Sequence, residues 1–154
     1  MAEYFHHFAK IRQVYPHLEP DLVSSHNDLN PNNILFDGDR LWAVDWEAAF
    51  ANDRYVDLAI VTNNFVSDDD AEQVFLSTYF DGPASHYQRA RFFLMRQVCH
   101  LFFAMAFLRF AAAHKPACAM VDADMTAPRL KEFYLLFRTG KVSLSTCDGS
   151  VAVR

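Results

Sequence analysis

Four side chains in one short stretch could do chemistry together: His26, Asp28 and Asn33 on a polar loop, and Asp45 after the next turn. The pattern is H-x-D-x-x-x-x-N, a hydrophobic strand, a tight turn, and a second aspartate. A carboxylate such as Asp28 can orient a hydroxyl and accept its proton. An amide oxygen and a second carboxylate, Asn33 and Asp45, can hold magnesium beside phosphates. That division of labour is what phosphoryl transfer asks of a protein, since the reaction depends mostly on positioning and charge neutralisation. An imidazole in such a loop more often hydrogen-bonds nearby backbone, so His26 reads as a brace beside the base. Each residue alone is weak, because an aspartate in a polar loop is usually a turn or cap residue. The ordered set is specific.

The elements around the set must bring it together. Ile34-Leu35-Phe36 and Leu41-Trp42-Ala43-Val44-Asp45-Trp46 read as two strands joined through Asp37-Gly38-Asp39-Arg40. Asp-Gly supplies the positive φ values of a tight hairpin. With Gly38 and Asp39 at the turn centre, Asn33 falls opposite Val44 and Asp45 opposite Asn32. Asn33 and Asp45 are then one cross-strand neighbour apart, near enough to share one metal ion.

The rest of the chain reads as helices. Tyr4, Phe5, Phe8, Ile11 and Val14 give an amphipathic helix over 2–14, stopped before Pro16. Residues 53–65 look helical around Asp57. Ser67-Asp68-Asp69-Asp70 supplies an N-cap for a helix to about Phe80. Gly82-Pro83 breaks it, and a long aromatic helix runs from about Ala84 to Ala113. Core packing is the expectation for its phenylalanines from Phe92 to Phe110, and for Trp42 and Trp46. A last helix near 127–138 ends at Gly140, and residues 140–154 read as a frayed tail. The expected fold class is mainly α with a small β-hairpin (α+β), one domain over 1–139.

Composition narrows the function classes. The chain has 154 residues, fifteen of them phenylalanine, and a formal net charge of −5. With no basic cluster, nucleic acid is not an expected partner. Cys99, Cys118 and Cys147 form no C-x-x-C pair, which suits a reducing, cytoplasmic compartment. His86, His100 and His114 recur along one helix, but at about 1.5 Å rise per residue they stand roughly 21 Å apart and cannot share a metal. The N-terminus is too polar for a signal peptide. The stretch 98–113 carries His100 and Arg109 and falls short of the ~20 apolar residues of a membrane span, so no membrane association is expected.

The stretch Ser25 to Asn64 resembles the aminoglycoside phosphotransferase and choline kinase family, whose usual form is near H-G-D-L-H-P-x-N-I-L, then I-D-W-E, then D-L-A. Here the positions read His26-Asn27-Asp28-Leu29-Asn30-Pro31-Asn32-Asn33-Ile34-Leu35, Val44-Asp45-Trp46-Glu47 and Asp57-Leu58-Ala59. The choline and ethanolamine kinase branch fits best, through His-Asn-Asp-Leu and Asp-Trp-Glu. The resemblance implies the carboxy-terminal lobe of a protein-kinase-like fold and ATP-dependent phosphorylation of a small alcohol with Mg²⁺. It makes Asp28 the catalytic base with His26 beside it, and Asn33 and Asp45 the ligands of Mg²⁺ and, through it, of ATP. It gives Asp57 a structural role, bracing the catalytic loop 24–33. Asn30 stands where the family has histidine and is placed on the substrate side. Glu47 either faces the substrate, where a carboxylate beside aromatic rings suits a quaternary ammonium, or is a solvated residue opening a loop.

No glycine-rich phosphate loop and no strand-borne lysine precede His26; Lys10 lies in the first helix. The expectation is a lobe without its amino-terminal partner, which binds ATP poorly alone and whose aromatic surface could drive self-association. A non-catalytic binding module is the other reading, and an aminoglycoside or another hydroxylated metabolite the other substrate.

Overall fold

In a computed structural model of the chain, the described residues are 2–15, 22–114, 132, 135, 136 and 139–141. They are mainly helical, with two small antiparallel sheets. The chain divides into two units, Met1–Cys99 and His100–Arg154.

The first unit holds everything that positions the candidate site. Helix α1 (Ala2–Val14) forms where the apolar spacing puts it. Three of its apolar positions are not covered, however: Phe5, Phe8 and Val14 are exposed. Strand β1 (Leu22–Ser25) leads into the polar loop, and β2 (Ile34–Phe36) and β3 (Leu41–Ala43) form the expected hairpin. Its register pairs Ile34 with Ala43, Leu35 with Trp42 and Phe36 with Leu41. Gly38 turns the chain at φ 103°. The Asp37 carboxylate accepts the backbone N–H groups of Asp39 and Arg40 and the Trp42 indole N–H at 2.7–2.9 Å. These bonds lower its pKa, the Arg40 N–H foremost and the Trp42 indole next.

The second strand ends earlier than the sequence suggested. Asp45 adopts the left-handed conformation (φ 63°, ψ 64°), which breaks the pleat and opens a short 3₁₀ turn, Trp46–Ala48. Strand β4 (Phe50–Asp53) then returns to β1, with Leu22 opposite Asp53 and Ser25 opposite Phe50. This second sheet was not foreseen, because its four-residue strands carry no clear alternation and meet only through a long-range pairing. Trp42 and Trp46, expected in the core, are both exposed.

Helix α2 (Arg54–Phe65) begins at Asp53, whose side chain caps it by accepting from Tyr55 N–H at 3.0 Å. It buries Tyr55, Leu58, Ala59, Thr62 and Asn63, the i, i+3, i+4, i+7 stripe of a core-facing helix. Helix α3 (Asp69–Tyr79) is capped by Asp68, which accepts from Ala71 N–H at 2.9 Å. Helix α4 (His86–His114) opens with a reciprocal capping box. Ser85 N–H donates to Gln88 Oε1 at 2.7 Å, and Gln88 N–H to Ser85 Oγ at 3.2 Å.

Within the first unit α4 buries Arg91, Phe92, Met95 and Cys99. The phenylalanine stripe is not uniformly core: Phe92 is buried, Phe93 and Phe102 are exposed, and the Phe110 side chain lies outside those described. The segment His86–Arg109 is long and apolar enough to cross a membrane, a longer candidate than the sequence reading weighed. Arg91 is nevertheless ion-paired with Asp53, and Arg96 with Glu72, inside the folded unit. Those pairs tie the first part of the helix into the folded unit.

In the second unit Glu132, Leu135 and Leu136 are helical. Gly140 sits at φ 69° while Lys141 N–H donates to Leu136 O at 2.9 Å, the six-to-one bond of a glycine C-cap. The remaining residues of the expected helix at 127–138 and the tail beyond Lys141 lie outside the described residues, as do Cys118 and Cys147.

Candidate active site

The site grows from the end of β1. Ser25 and His26 are buried, and the backbone turns sharply at Asn27, which is left-handed at φ 65°. Asparagine tolerates that conformation better than most L-residues because its short amide bonds locally. Here the Asn27 amide donates to Ser25 O at 3.1 Å and Ala48 O at 3.0 Å, and its oxygen accepts from Asn52 Nδ2 at 2.7 Å. Asp57, one turn into α2, accepts the His26 N–H at 2.8 Å and the Asn27 N–H at 2.7 Å. A carboxylate taking two backbone donors from one loop is a charge-assisted grip.

Asp28 follows directly. Its Oδ1 accepts from Asn30 Nδ2 and its Oδ2 from Asn33 Nδ2, both at 2.9 Å. Asn33 Nδ2 also donates to the Asp28 backbone oxygen at 2.9 Å. Two amides therefore fix the carboxylate plane and leave further lone pairs for an incoming hydroxyl. Since the partners of Asn33 Nδ2 are acceptors only, the amide orientation is determined and Oδ1 is the atom left to act as a ligand. Asn30, expected on the substrate side, orients the Asp28 carboxylate, and its Oδ1 is occupied by Asn32 N–H at 2.9 Å.

Val44 carries the loop's hold on the hairpin. Its N–H donates to Asn33 O at 3.0 Å, and its carbonyl faces His26 Nε2 at 2.8 Å. A carbonyl only accepts, so Nε2 bears the proton. Nδ1 is buried without a partner among the described residues, so the ring's one hydrogen bond is the brace to Val44. The imidazole also lies 4.6 Å from the Trp46 ring. Both polar groups of Val44 are thus held immediately before Asp45.

Asp45 occupies the N-cap position of the 3₁₀ turn yet makes no capping bond, and it is exposed. Its carboxylate is uncommitted among the described residues. Magnesium takes hard oxygen ligands and is commonly held by one or two protein groups, with water and phosphate completing six. Asn33 Oδ1 and Asp45 fit that donor set. Among the described residues no cluster of three His, Cys, Asp or Glu forms a self-sufficient metal cage. Glu47, in the same turn, is exposed.

A second polar cluster supports α2 from behind. Arg91, 2% exposed, pairs with Asp53 and donates to Tyr15 OH at 3.1 Å. Its guanidinium lies 4.8, 5.0 and 5.9 Å from the rings of Tyr15, Tyr55 and Tyr87. Burial opposes its charge, but Tyr15 and Asp53 outweigh that and raise its pKa. Burial and the bond to Asp53 raise that of Tyr15. The Cys99 thiol is pushed up to about 12, by burial first and then by the charge of Asp57. Sequence reasoning found none of Asn27, Asn52, Arg91 or Tyr15 as supports. Their one legible signal is an asparagine at a loop position where the family has glycine.

Residues 4–93, more than half the chain, match the phosphotransferase enzyme family, APH. The chain belongs to that family. Among solved structures it is similar to a choline/ethanolamine kinase family protein from Mesorhizobium loti, with a TM-score of 0.65 and 25% identity over 76% of this chain and 41% of that one. Protein LicA of Haemophilus influenzae is 33% identical over 75 residues, 49% of this chain and 26% of LicA. An uncharacterised protein of Metamycoplasma hominis is 38% identical over 63 residues, 40% of this chain and 12% of that protein. The chain spans well under half the length of these relatives.

Proposed function

We propose that this chain is the catalytic, metal-holding lobe of a small-molecule kinase, transferring the terminal phosphoryl group of ATP to the hydroxyl of an amino alcohol of choline or ethanolamine type. The observation that carries the reading is the Asp28 carboxylate, fixed by the Asn30 and Asn33 amides. The acceptor hydroxyl donates its proton to Asp28 as its oxygen bonds to phosphorus, while the phosphorus–oxygen bond to the leaving diphosphate breaks. Asn33 Oδ1 and Asp45 would hold Mg²⁺, which when bound neutralises phosphate charge. His26 and Asp57 keep the loop in place. Membership of the phosphotransferase family and the likeness to a choline/ethanolamine kinase family protein support the substrate class.

The test is transfer of radiolabelled phosphate from Mg²⁺-ATP to choline, ethanolamine and an aminoglycoside. Asp28→Ala is expected to lower the rate on the preferred acceptor by about 10³-fold, and Asp45→Ala to abolish thermal stabilisation by Mg²⁺-ATP. Transfer that survives Asp28→Ala would remove the assigned base. An absence of both transfer and nucleotide stabilisation in the unsubstituted chain would favour the non-catalytic binding module.

A further inference from the structure

We infer that Asn27 and Asn52 form a positioning clamp that sets the base-bearing loop against the turn that carries Asp45; the inference rests on the kinase reading above. Asn27 is the one side chain of the loop whose amide reaches three other segments. Its Nδ2 donates to Ser25 O at the end of β1 and to Ala48 O at the end of the 3₁₀ turn. Its Oδ1 accepts from Asn52 Nδ2 on β4. Asn52 is itself fixed, because its Oδ1 accepts from Asp53 N–H at 2.8 Å, the residue that caps α2. The clamp therefore joins β1, the loop, the turn and the start of α2 at one amide.

The consequence is geometric. Asn27 precedes Asp28, so its left-handed backbone decides where the Asp28 carboxylate is carried. Ala48 closes the turn that Asp45 opens, so the bond to Ala48 O ties the base to the metal-bearing segment. A glycine at 27 would hold the same φ without strain but would carry none of the three side-chain bonds. Neither asparagine is in the reacting set: Asn27 acts through the position of Asp28, and Asn52 acts through Asn27.

The experiment is a double-substitution cycle, Asn27→Gly and Asn52→Ala, on the protein with ATP, Mg²⁺ and the preferred acceptor. Each single change is expected to lower kcat about tenfold and leave the acceptor KM within about twofold. Asn27→Gly is also expected to raise the Mg²⁺ concentration for half-maximal rate, because the end of the Asp45 turn loses its tie to the loop and only the bonds at Val44 remain. In the Asn27→Gly background, Asn52→Ala should add nothing further, since its partner is already gone. Full additivity, or an unchanged kcat in Asn52→Ala, overturns the clamp. Asn52→Asp, which keeps the shape but cannot donate, repeats the test if the alanine variant folds poorly.

A second readout does not depend on the kinase reading. Hydrogen exchange at the Asn27 amide, held by Asp57, should quicken about fivefold in Asn52→Ala. Quickened exchange in a chain inactive on every acceptor would sink the kinase reading and keep the clamp. Unchanged exchange would sink the clamp alone.

Discussion

The loop from Ser25 to Asn33 and the hairpin that follows it are neighbours in sequence and opposites in construction. In the loop, polar side chains are turned inward and spent on one another: His26 is 2% exposed, and Asp28, Asn30 and Asn33 form one connected set. In the hairpin, apolar side chains are turned outward on both faces, Phe36 (66%) and Leu41 (72%) on one and Leu35 and Trp42 (51% each) on the other. A folded chain ordinarily does the reverse. The loop's inversion is compensated bond by bond, and it yields a fixed carboxylate. The hairpin's has no such compensation within the described residues, so its rigidity comes from the Asp37 turn, the ladder and the loop's hold at Val44. Order in the first region is thus tied to the fold of α2 and α4, and order beyond Val44 in the second is local.

That contrast can be pressed hardest at Arg91. Arg91→Met leaves the Asp53 carboxylate without its buried partner, and is expected to destabilise the chain by about 3 kcal/mol, read as the midpoint of chemical denaturation. The loop should loosen with it, since Asp53 caps the helix that carries Asp57. A loss under about 1 kcal/mol would break the claim that the loop depends on distant packing.

A separate effect follows from pH. The folded chain keeps the Cys99 proton up to about 12, against an ordinary 9.0, so the unfolded chain releases it first. The stabilising difference is fully present below the lower value and is lost as pH climbs from 9.0 toward about 12. The limiting slope for this one group is about 1.4 kcal/mol per pH unit. Tyr15, raised in the same sense, extends the fall above its ordinary value. Cys99→Ala should flatten the lower part of that fall in a denaturation series. An unchanged slope would show that Cys99 is not shielded beside Asp57.

The smallest effect belongs to the hairpin. Phe36→Ser with Leu41→Ser should change stability by about 0.5 kcal/mol or less per site, as at other exposed positions. The same pair should lower any self-association seen by sedimentation. A loss of several kcal/mol would mean that these faces are covered and the contrast fails.

The sequence made part of this legible for definite reasons. The hairpin register was readable because Asp37-Gly38 permits few turns, and one turn fixes every cross-strand pair. The cap at 67–70 was readable from local hydrogen-bonding chemistry, although Ser67 shared the signal with Asp68; the caps at Asp53 and Ser85 were not read. Pairing of β1 with β4 was hidden, because Leu22 and Asp53 meet only through the fold. The outward face of Trp42 and Trp46 was hidden too: composition records that a ring is apolar, not what covers it. For the candidate site, spacing named Asp28, Asn33 and Asp45, and the structure brings the Asn33 amide onto Asp28. Its supports were not readable, since Asn27, Asn52 and Arg91 act through tertiary bonds that leave no periodicity.

Asp45 remains. It holds a left-handed backbone that glycine would adopt freely, at the head of a turn it does not cap, and strain of that kind costs about 1 kcal/mol or more. Ranking variants by melting temperature alone would therefore favour Asp45→Gly, and would discard the carboxylate on which the proposed metal site depends. At this position, selection for durability and selection for turnover pull the sequence in opposite directions.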